Sequence, residues 1–108
     1  MTLEEVRTLL EGIYGYTGKV TYYAWPVGEA PELPFLCYVE KRAENFAADN
    51  IVYSSGKEID IELYTEQRSP GEEALVEAAL TARDIYWEKE LEYLDDEKCW
   101  MITYTIGV

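Results

Sequence analysis

Residues 57–65, Lys-Glu-Ile-Asp-Ile-Glu-Leu-Tyr-Thr, constrain the fold of this chain more than any other stretch. Ile59, Ile61 and Leu63 alternate with Glu58, Asp60 and Glu62. Successive strand residues point to opposite faces, so this segment has one oily face and one carboxylate face. A helix would scatter the three acids around its circumference, and two β-branched isoleucines favour the strand. The pattern predicts the central strand of a sheet covered on one side.

The flanking segments supply the cover. Thr2 and Glu5 form a Thr-x-x-Glu capping box, and Leu3, Val6, Leu10 and Ile13 share one helical face, predicting a helix over 2–13. Residues 20–25 read as a first strand, and the prolines at 26, 31 and 34 as an exposed loop. A second strand is expected over 35–41, with Phe35, Cys37 and Val39 on one face. Residues 42–50 read as a polar connection carrying Phe46, after which 51–54 resumes extended structure and Ser55-Gly56 allows a bend or bulge. These strands are expected to form an antiparallel meander. Ser69-Pro70-Gly71-Glu72 starts a second helix reaching about Arg83, with Leu75, Val76, Ala79, Leu80 and Arg83 as its packing face. Residues 86–93 alternate Glu88, Glu90 and Glu92 against Trp87, Lys89, Leu91 and Tyr93. After a turn over 94–98, residues 99–106 return with Trp100, Ile102, Tyr104 and Ile106 facing the core. The order α-β-β-β-α-β-β makes residues 1–108 a single α+β domain, a largely antiparallel sheet with two helices on one face.

Two helices cover one face only, which leaves the other to Glu58, Asp60, Glu62, Glu88, Glu90 and Glu92. Lys and Arg number 9 against 22 Asp and Glu, a net charge of −13, and residues 58–97 alone carry fourteen acids against three bases. Such a surface repels phosphate backbones and disfavours nucleic-acid binding. With no histidine, Ser-His and Cys-His catalysis are excluded. Met1-Thr-Leu-Glu-Glu lacks the basic-then-apolar start of a signal peptide, and no apolar run approaches the ~20 residues of a membrane span. Cys37 and Cys99 fit buried free thiols better than a disulfide.

Carboxylates at i, i+2 and i+4 of a strand stand ~7 Å apart per step, too far for neighbours to chelate one ion unaided. Lys57 and Lys89 could offset phosphate charge, but their spacing makes no nuclease signature. A solvated or interface face is therefore the better reading, with no metal and no cofactor. The same array could instead mimic nucleic-acid phosphates before a basic DNA-binding protein. Trp25 and Phe46, in or beside expected loops, either anchor partner contacts or fold back over the edge of a small core.

Asn45-Phe46-Ala47-Ala48-Asp49, Tyr53 and residues 58–65, with Tyr23-Ala24-Trp25-Pro26, Pro34 and Tyr38 upstream, resemble a family of small proteins from tailed phages and prophages of Gram-positive hosts. The Glu-rich second helix and residues 87–93 extend the likeness over nearly the whole chain. The family resembles the tail-terminator, tail-completion and head–tail joining class, whose α+β subunits assemble into rings, often sixfold. The resemblance implies a structural virion protein, not an enzyme, whose partners are itself, the tail tube and head-connector proteins. Trp25, Asn45 and Phe46 are then expected in interface loops. The acids of residues 58–62 and 88–92 are expected to wall a lumen that repels passing DNA.

Overall fold

The computed structural model describes residues 2–15, 17–48 and 51–107, with side chains described except at 17, 42–48 and 51–57. In chain order the elements are α1 (Leu3–Tyr14), a short 3₁₀ turn (Thr17–Lys19), β1 (Val20–Tyr22), β2 (Phe35–Ala48), β3 (Ile51–Thr65), α2 (Pro70–Ala82), β4 (Trp87–Leu94) and β5 (Cys99–Gly107). The strands form one sheet in the order β1-β2-β3-β5-β4, with β3 in the middle. The α+β class and the element order expected from the sequence are those observed.

Local chemistry sets the helix ends. Thr2 and Glu5 exchange both capping-box hydrogen bonds, at 3.0 and 3.1 Å. Gly15 closes α1 in the left-handed region (φ 75°), where glycine meets no Cβ penalty. Ser69 Oγ accepts from the Glu72 amide, and Pro70 follows in the first turn of α2. Val6 and Leu10 of α1 and Val76 and Leu80 of α2 are fully buried against one sheet face. That face presents Ile59, Ile61 and Leu63 of β3, Ile102, Tyr104 and Ile106 of β5, and Leu36 and Tyr38 of β2. Each such side chain contributes about 1.5–3 kcal/mol through burial.

Four details depart from the sequence reading. First, β1 spans three residues and pairs parallel to β2, so the meander is antiparallel only from β2 onward. The dozen residues between Tyr22 and Phe35 are long enough to carry the chain back to its starting end, as a parallel pairing requires. Second, the connection expected over 42–50 is strand through Ala48, paired with β3 across the hairpin. Cross-strand pairing overrides the polar composition here. Register shifts between Glu40 and Arg42 and between Phe46 and Ala47 absorb the irregularity. Third, β5 pairs with β3 only from Glu58 to Thr65, so the distal parts of β2 and β3 continue beyond the sheet as a two-stranded ribbon. Fourth, Leu75 is 47% exposed and Arg83 is exposed as the α2 C-cap. Their places on the inner side of α2 are taken by Glu73, which is buried, and by half-buried Glu77.

Candidate functional site

The six acids meet on the helix-free face because β5 lies between the two strands that carry them. Asp60 and Glu88 flank Thr105, and Glu62 and Glu90 flank Thr103. Glu58 lies beside Gly107, and Glu92 beside Met101. Two columns of carboxylates thus run along β3 and β4, separated by a lane of Thr103 and Thr105 with Met101 at one end. Across the lane the backbones stand two strand spacings apart, about 9.5 Å, and along each column the step is ~7 Å. The face is concave and encloses about 450 Å³, lined by all six acids together with Lys41, Leu91, Met101, Thr103 and Thr105. Lys41 is the one base among these lining residues.

The inner column is partly sheltered. Asp60 is 7% exposed, accepts from Thr105 Oγ1 at 2.8 Å, and lies 3.4 Å from Lys41 Nζ. Glu62 Oε1 accepts from the Tyr64 hydroxyl at 2.9 Å. Burial pushes the Glu62 carboxyl up from its ordinary range; the Tyr64 bond opposes this and the neighbouring Asp60 adds to it. Burial, reinforced by Glu62, also raises the Tyr64 hydroxyl and pushes the Cys37 thiol up to about 12. Cys37 is therefore a poor nucleophile. The outer column is open, with Glu88, Glu90 and Glu92 all exposed.

Beside the trough stands an aromatic row. Trp25 packs edge-on against Phe35 (centroids 5.9 Å, 82°), and Phe35 lies 5.0 Å from Tyr64. Trp25 is half-buried and its indole N–H is buried without a hydrogen-bond partner. Trp25 thus lies against Phe35 at the sheet edge. Asn45 and Phe46, expected in an interface loop, belong to the backbone of β2; their side chains lie outside the described residues.

Lys89, considered as a counter-charge for phosphate, serves the opposite face. Its ammonium lies 2.6 Å from Glu73 Oε1 and 2.8 Å from Glu77 Oε2. Arg68 holds Glu73 from the other side, through Nε at 2.9 Å and Nη2 at 3.2 Å. The Tyr104 hydroxyl donates to Glu77 at 2.7 Å. Glu73 is 2% exposed. Burial alone would raise its carboxyl, but Arg68 and Lys89 outweigh burial and hold it below the usual carboxylate range.

Sequence reasoning named all six acids but missed Thr103, Thr105, Lys41 and Tyr64. Thr103 and Thr105 alternate with Ile102, Tyr104 and Ile106, so their face was readable; their position between two acidic strands was not. Cys37 and Cys99 are both free and buried. Cys37 shares a row with Glu62 and Thr103, and Cys99 lies four residues further along β5. That offset separates them by roughly 16 Å, well beyond disulfide reach. Among the described residues no group of three or more His, Cys, Asp or Glu side chains could hold a metal ion. No helix among them is long and apolar enough to cross a membrane. The chain matches no family model and no curated protein.

Proposed function

We propose that this protein is a structural subunit of a tailed-phage head–tail junction, of the tail-terminator or tail-completion kind, acting in the virion through assembly into a homo-oligomeric ring. The observation that carries the reading is the concave sheet face on which, among the described residues, six carboxylates meet one base. A wall of this kind repels the phosphate backbone, so DNA passes along it without adhering. The helices, on the opposite face, are then free to meet the tail tube and the head connector. The resemblance over nearly the whole chain supports the same role, and no step in it requires catalysis or a cofactor.

Native mass spectrometry over a concentration series, with negative-stain images of the large species, tests the assembly. A closed ring of about six copies is expected. Reversing charge in the inner column, Glu58→Lys with Glu62→Lys, should leave the ring closed and make it retain DNA in a gel shift. A wild-type ring that itself holds DNA tightly would overturn the lumen role.

One feature favours a second reading. Two parallel carboxylate columns offer a partner a regular negative array, as an inhibitor that mimics nucleic acid would. That protein would stay monomeric or dimeric and bind a basic DNA-handling protein, with affinity falling steeply as salt rises.

A further inference from the structure

We infer that β4 of one copy pairs edge to edge with β2 of the next, so that the sheet continues from subunit to subunit. The inference rests on the assembly reading above and adds its contact. β4 is an edge strand of eight residues with an unbroken register to β5 and no proline. Among the described residues nothing pairs with its outer side, where a row of backbone groups stands ready for another strand. Beside this edge Leu91 and Tyr93 are each 43% exposed.

The matching edge lies at the far side of the same sheet. β1 covers β2 only at Leu36, Cys37 and Tyr38, and the Tyr22 hydroxyl takes the Glu40 amide at 3.4 Å. Beyond that point residues 41–48 continue β2 for eight residues, the length of β4. Among the described residues they have a strand partner on the β3 side alone. Between residues 42–48 and 51–57 the hairpin pairs with no third strand among the described residues; a two-stranded ribbon is marginal by itself, and a third strand would support it.

Charge selects this pairing over the symmetric alternative. Two β4 strands meeting antiparallel about a two-fold axis would set Glu88, Glu90 and Glu92 against the same three residues, a destabilising arrangement. The β2 edge instead begins with Lys41 and Arg42, and the Lys41 side chain is 62% exposed. The two edges are different surfaces of one molecule, so their union is head-to-tail and closes into a ring if the rotation allows.

Charge swapping, read by native mass spectrometry and by hydrogen exchange, tests the contact. Arg42→Glu, which leaves the Lys41–Asp60 pair in place, should keep the native circular dichroism spectrum and move assembly to roughly tenfold higher concentration or beyond. Adding Glu88→Lys and Glu90→Lys to that chain should restore assembly. In the wild-type oligomer, amides of residues 87–94 and 41–48 should exchange more slowly than in the dilute monomer. If the wild type assembles while these amides stay unprotected, or the swapped charges change nothing, the edge contact is wrong and the ring reading stands. A wild-type chain monomeric at every concentration overturns both.

Discussion

Two sheltered carboxylates on opposite sides of one sheet are both pushed up by burial, yet their net shifts run in opposite directions. Glu73, under α2, is gripped by Arg68 and Lys89, and its carboxyl lies below the ordinary range. Glu62, on the open face, has a tyrosine hydroxyl and a neighbouring acid, and its carboxyl lies above that range. Both are acids drawn partly out of water; the supply of cations decides the sign. On the helix side the bases close a structural contact between α2 and β4. On the open side Lys41 is the one base facing six acids among the described residues, which leaves net negative charge for a partner or a passage.

The sharpest way to break this contrast is to remove Glu73. Glu73→Ala removes charge-assisted hydrogen bonds from Arg68 and Lys89, while Lys89 keeps Glu77, and should cost about 1.5–3 kcal/mol in urea unfolding at pH 7. Because the folded carboxyl is depressed, the stability it contributes is present above its unfolded range and lost as pH falls through the folded value. The gap between wild type and Glu73→Ala should therefore close in acid.

Glu62→Gln should act with the opposite sign. The folded carboxyl is raised, so its favourable contribution is present below the unfolded range and lost as pH rises through the folded value. The variant should be more stable than wild type at pH 7, and the advantage should vanish as the pH drops below the carboxylate range. A loss of stability at pH 7 would mean that the Tyr64 bond outweighs the burial penalty.

The smallest effect belongs to the open column. Glu88→Gln with Glu90→Gln, measured as a dilute monomer, should change stability by no more than about 0.5 kcal/mol. Added salt should raise the wild-type Tm by screening the trough, and the variant should show a smaller rise. An unchanged salt response would place the repulsion elsewhere on the molecule.

Much of this contrast was legible in the sequence, for a physical reason. A strand sorts neighbours by parity, so the alternation around Ile59, Ile61 and Leu63 assigns each acid to a face before any fold is known. The same parity sets Lys89 opposite Glu88 and Glu90. Parity is silent about which strands become neighbours. Nothing local in residues 87–106 requires β5 to lie between β3 and β4, and that placement alone creates the threonine lane. The parallel pairing of β1 depends on a long proline-bearing connection, whose path no local pattern encodes. The strand content of residues 42–48 arises from pairing with β3, whereas composition alone suggested a loop.

The threonine lane has a consequence for how this protein can vary. Thr103 and Thr105 face the trough while Ile102, Tyr104 and Ile106 of the same strand fill the core. Deleting one residue within β5 would exchange the two sets, driving hydroxyls under the helices and oily side chains among the carboxylates. Substitution can retune the trough one side chain at a time, but a change of length inside the strand spoils both faces together. The turn that joins Leu94 to Cys99 is the place where the chain can grow or shrink without inverting the sheet.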